Sequence, residues 1–115
     1  MRTMSVHLRQ AFDRECRLAR ERQQEGQLVA AFAHLERAHI LSQRHPWPHF
    51  KTHWLMWLIA FRGRRWPDLL GQPPRMLAAL IFSRLWVPIG NTGGANVSAF
   101  RPMPVPADLA QLLRE

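Results

Sequence analysis

The stretch that most constrains this chain is His45–Phe61, HPWPHFKTHWLMWLIAF. His45, His49 and His53 recur every fourth residue, and an uninterrupted apolar run, Trp54 to Phe61, follows them. A helix over this segment is apolar almost all round, so other helices are expected to cover it. It also sets His49 and His53 one turn apart on one face, with Met56 and Ala60 continuing their stripe. The length, 115 residues, suits one domain with a single core.

Upstream, Leu8, Ala11, Phe12 and Ala19 recur at helical spacing over residues 6–25, with Asp13–Arg17 and Arg17–Glu21 as i,i+4 charge pairs. Glu15 falls inside that apolar stripe, where a carboxylate needs an ion partner, hydrogen bonds or a metal. Every basic residue but Lys51 is an arginine, so an arginine partner is the commoner outcome. Gly26 fits a helix–helix turn. A second helix over 28–43 sets Leu28, Ala31, Leu35, Ala38 and Ser42 on one side.

Together the two helices resemble one tetratricopeptide-like hairpin across residues 12–46. Ala19, Gly26, Ala31, Leu35 and Ala38 match that repeat's small-residue and turn positions, whereas Glu15 stands at its first aromatic position. A solenoid needs about three repeats, so the resemblance implies hairpin geometry rather than a peptide-binding array.

Pro46 and Pro48 introduce a third helix over 48–62, which Gly63 ends. Gly71, Pro73 and Pro74 are expected to separate a short turn capped by Asp68 from a fourth helix over 74–86. From 87 to 106 the chain reads VPIGNTGGANVSAFRPMPVP, whose glycines and prolines predict an extended strap lying across the helices. Residues 107–113 add a short terminal helix. The expected fold is all-α: one domain over 1–115, four main helices in two hairpins, and an irregular Pro/Gly-rich C-terminal segment.

LERAHILSQ (35–43), the histidine-bearing third helix, GQPPR (71–75) and the strap together resemble the small bacterial proteins of domain-of-unknown-function family 3703. GNTGGANVS is the most distinctive part of that likeness. The family name carries no activity, so the resemblance implies a bacterial source and little chemistry.

The formal net charge of +8 is spread along the chain without a block of like charges, so a basic tail is absent. Weak, salt-sensitive contact with nucleic acid is expected in vitro, but not a dedicated nucleic-acid face. The cluster Arg62, Arg64, Arg65 and Trp66 is read as neutralising a helix C-terminus. Cys16 is the only cysteine, which excludes an intramolecular disulfide. The apolar runs are far short of a membrane span. A reducing, cytoplasmic setting without a membrane partner is the expectation.

Metal binding is the leading chemical reading. Glu36 and His39 stand at i,i+3 on the second helix and His49 and His53 at i,i+4 on the third, while Glu15 points inward from the first. Neighbouring helices can bring such groups together, as carboxylate–histidine sites in bundles do. The candidate ligands are therefore Glu15, Glu36, His39, His49 and His53. This donor mix suits zinc, iron, manganese or nickel, and a role for Met56 would favour copper. The metalloprotease HExxH is absent, since Phe50 follows His49, and there is one ExxH where di-iron bundles use two.

Cys16 has no identifiable base beside it, and Ser83 and Ser98 lack a nucleophile-elbow context, so the expected role is non-catalytic. GNTGGANVS has neither the Lys-Ser/Thr of a phosphate-binding loop nor GxGxxG. It is read as a structural turn in which Asn91, Thr92 and Asn96 bond local backbone. The alternative function is a protein-interaction module or homo-oligomer, suggested by the hairpin and by abundant Trp and Arg.

Overall fold

A computed structural model describes residues 3–114. The order is α1 (Val6–Gln24), α2 (Leu28–Ser42), α3 (Pro46–Gly63), α4 (Trp66–Phe82) and α5 (Ala107–Leu113), with no strand among the described residues. Ser5 caps α1 by accepting the Leu8 amide at 3.1 Å, one of the bonds a helix start leaves open. Leu8, Phe12, Cys16 and Ala19 are buried at the spacing expected of one apolar face. Gly26, at φ +75°, turns the chain into α2. Arg64, at φ 53°, ends α3 in the left-handed conformation.

Helix α1 packs on α2 and α3 on α4, and α2 joins the two hairpins by packing on α3. The buried centre is α2 rather than the apolar α3. Ala31, Phe32 and Leu35 meet Ala19, Met56 and Ile59. Ala38 meets Phe12 and Cys16, and Ile40 and Leu41 meet Leu8 and Leu109 of α5. Burying a side chain such as Leu35 or Phe32 contributes about 1.5–3 kcal/mol. The cover expected around α3 is incomplete. Trp54 and Phe61 are exposed and form a stacked row with the half-buried Trp57, because α2 and α4 occupy only part of the circumference of α3.

The expected break before residue 74 does not occur: α4 runs unbroken through Gly71, Pro73 and Pro74. Pro73 has no N–H to give the Leu69 carbonyl one turn back. The Trp57 indole of α3 supplies that bond instead, at 3.2 Å. Asp68 consequently sits inside the first turn and is buried. The chain from 87 to 106 is non-helical and lies against α2, where Gln43 donates to the Pro88 carbonyl and accepts the Gly90 amide, each at 3.0 Å. No helix among the described residues is long and apolar enough to cross a membrane.

Candidate metal centre

His39 from α2 and His49 and His53 from α3 converge where α4 and the strap close over them. The three Nε2 atoms form a nearly equilateral triangle, 2.8 Å from His39 to His49, 3.1 Å from His49 to His53 and 3.2 Å from His39 to His53. All three residues are buried.

The outer nitrogen of each ring has its own partner. His39 Nδ1 lies 2.7 Å from the Asn91 carbonyl, which can only accept, so this nitrogen carries the proton. His53 Nδ1 lies 2.5 Å from Gln72 Oε1. The Gln72 amide is fixed in that orientation because its nitrogen donates to Asp68 Oδ1 at 2.8 Å and to the Gly93 carbonyl at 3.0 Å. His49 Nδ1 lies 2.8 Å from Ser83 Oγ. The Ser83 hydroxyl gives its hydrogen to the Ala79 carbonyl, so it accepts from the ring. Each imidazole therefore holds its proton on Nδ1 and turns a bare Nε2 toward the other two.

Burial keeps the rings neutral. It pushes His49 down to about 3, with His53 adding to the fall. It pushes His53 down to about 4 against the opposing pull of Gln72. It drives His39 well below the usual imidazole range, with His53 and His49 contributing further. Three neutral rings with outward N–H groups place three lone pairs face to face. A cation at their centre turns that repulsion into coordination. Zinc binds imidazole nitrogen at about 2.0–2.1 Å, which sets tetrahedral ligand nitrogens about 3.3 Å apart. The 3.1 and 3.2 Å sides of the triangle nearly match that spacing, and the 2.8 Å side between His39 and His49 would open by about 0.5 Å. An outer N–H fixed on a carbonyl or amide oxygen is also the usual support of a metal-bound histidine.

The strap is part of this centre. Asn91 Oδ1 accepts the Gly93 amide, and Asn91 Nδ2 donates to the carbonyls of Ser98 and Arg101, each at 2.8 Å. These bonds hold the Asn91 carbonyl over His39. Gly93 has φ +84°, and a Cβ there would fall 2.6 Å from the His39 ring, so the position requires glycine. Asn91 thus makes the local backbone bonds expected of it, whereas the Thr92 hydroxyl makes none to the local backbone and acts on the Glu36 carboxyl instead.

Three of the five sequence candidates meet and two lie elsewhere. Glu15 accepts from Arg37 Nε at 2.9 Å, and its other oxygen lies 2.8 Å from His34 Nδ1. Its inward position is satisfied by the arginine that the composition favoured. Glu36 is half-buried; burial raises its carboxyl and the Thr92 hydroxyl draws it down, and it does not join the histidine group. The Glu36–His39 spacing put both on one helix, but only His39 turns toward α3. Met56 is packed among Ala19, Phe32 and Ile59, which removes the reason to favour copper. The supports Gln72, Ser83 and the Asn91 carbonyl were missed from sequence. The density of polar and glycine residues in GNTGGANVS was the visible signal for Asn91, and GQPPR contained Gln72, while Ser83 had none.

Fold and site together define a small all-α protein with a buried three-histidine cluster that can hold a metal ion. The chain belongs to the family described as a protein of unknown function, DUF3703, which matches residues 6–113. No curated protein and no solved structure matches it.

Proposed function

We propose that this protein binds one first-row transition metal ion, with zinc the best fit, through Nε2 of His39, His49 and His53. The observation that supports this reading is the proton placement: all three Nδ1 atoms face acceptors, so all three lone pairs face one another. Neutral imidazole suits zinc, iron, nickel and copper, whereas manganese prefers oxygen donors. Protein purified without an affinity tag should carry close to one equivalent of metal per chain. It should lose thermal stability on chelation and regain it with zinc. Less than about a tenth of an equivalent, with no thermal shift from any divalent ion, would overturn the reading.

A second reading concerns partners. Trp66, Leu70, Leu77 and Ile81 stand along one side of α4 with exposures of 53–76%, and the row Trp54–Trp57–Phe61 lies on the adjoining α3. Uncovered apolar surface of this kind marks interaction sites. The reading is a homo-oligomer or a protein partner on this face, with the tetratricopeptide-like hairpin serving as scaffold. Sedimentation should show self-association that Leu70→Glu with Leu77→Glu abolishes. A monomer at every concentration, together with failure to recover a stoichiometric partner, would retire it.

A further inference from the structure

Structural zinc sites enclose the ion with four protein ligands, whereas three leave a coordination position open. Among the described residues, no fourth His, Cys, Asp or Glu joins His39, His49 and His53. The three rings instead share a cavity of about 460 Å³, within the range of small-molecule pockets. Ala78, Phe82, Trp86, Val87 and Phe100 supply much of its remaining wall. Phe82, Trp86 and Phe100 are 51%, 57% and 75% exposed, which is a large uncovered aromatic area around one opening.

The charge balance of this cavity is one-sided. Arg75 lines it, donating to the carbonyls of Gly71 and Val97 through its terminal nitrogens. Its Nε is buried without a hydrogen-bond partner. No carboxylate of the described residues lines the cavity. Asp68 stands behind Gln72, already engaged by Gln72, the Ala95 amide and Arg65. A divalent ion on three neutral imidazoles keeps its whole charge, and Arg75 adds another. Charge held among apolar walls calls for an opposite charge beside it.

Resting on the metal reading, we propose that the open coordination position takes a small organic monocarboxylate. The carboxylate binds the metal on the side of Arg75, and its apolar body covers Phe82, Trp86 and Phe100. A bare inorganic anion answers the charge but leaves the aromatic rim wet, and a neutral apolar molecule does the reverse.

The test uses the full chain loaded with cobalt(II), whose visible bands report coordination, titrated with acetate, benzoate and benzylamine at constant pH and ionic strength. Benzoate should shift the bands saturably, with a dissociation constant at least about tenfold below that of acetate, since its ring buries the additional apolar area. Benzylamine, cationic at neutral pH, should leave them unmoved. Phe100→Ala, at an exposed position that the fold does not need, should narrow the gap between benzoate and acetate to about threefold or less. Cobalt bands that no carboxylate moves, or equal affinities for acetate and benzoate, would overturn this inference and leave the metal reading intact. Failure to take up cobalt, zinc or any other divalent ion would overturn the metal reading and this inference with it.

Discussion

Two polar clusters lie inside this bundle, and they are balanced in opposite ways. Between α1 and α2, Glu15 meets Arg37 and His34, so that its charge and both oxygens find partners within the protein. Between α2, α3 and α4, the imidazoles of His39, His49 and His53 satisfy only their outer nitrogens, leaving the inner ones facing each other. Both clusters began as the same kind of sequence signal, polar side chains on helix faces turned toward the core. Arginine brings a permanent countercharge to a carboxylate. Three imidazoles bring none to one another, and their common point is one that could hold a cation.

The contrast breaks most sharply at the ligands. His53→Ala should lower metal affinity by at least about 100-fold, more than the loss of a supporting residue costs, and reduce bound metal below detection after gel filtration. Glu15→Gln should leave metal content unchanged. Parallel loss in both variants would show that the clusters are not independent.

Acid should separate the clusters next. Unfolded imidazoles take up protons below about pH 6.5, whereas the folded His53 and His49 refuse them until about pH 4 and 3. The unfolded state therefore binds more protons in this window, and metal-free stability must fall as pH falls through it. The slope is about 1.4 kcal/mol per pH unit for each histidine involved. Urea unfolding of metal-free protein at pH 7, 6 and 5 reads this slope, and Arg37→Ala should leave it unchanged. A flat profile would mean that the rings are solvated or already protonated when folded.

A gentler cut is Gln72→Ala, which removes the acceptor behind His53 but no ligand. Metal affinity should drop about 10–100-fold, measured by competition with a chromophoric chelator. The smallest effect belongs to the closed cluster. Arg37 is 35% exposed, so Arg37→Ala should cost only about 1–2 kcal/mol of stability in denaturant, because water and His34 take over part of its role. Its metal content should equal that of the unaltered protein.

Much of the fold was legible because α1, α2 and α3 bury residues at helical periods, and because Gly26 and the 87–106 composition punctuate strongly. Helix α4 was misread at Pro73 and Pro74. Their local penalty is real, but a bond from Trp57 on another helix takes the carbonyl that Pro73 leaves open, and local sequence does not carry that information. The site was half legible. Spacing placed His49 and His53 on one face and His39 on the neighbouring helix. It could not say that Glu15 would meet Arg37, since both a metal and a guanidinium satisfy an inward carboxylate. Gln72, Ser83 and Asn91 reach their histidines across 19 to 52 residues of sequence, and Asn91 does so through a carbonyl that any residue possesses.

Chain order gives the strap one more consequence. As the polypeptide leaves the ribosome, all three histidines emerge by the end of α3, and Gln72 and Ser83 follow behind two of them. His39 still lacks its acceptor until Asn91 appears, and Asn91 is clasped only when Ser98 and Arg101 have been added. The three rings therefore have all their supports only after residue 101 has been added, and a chain cut short before that point lacks the clasp over His39.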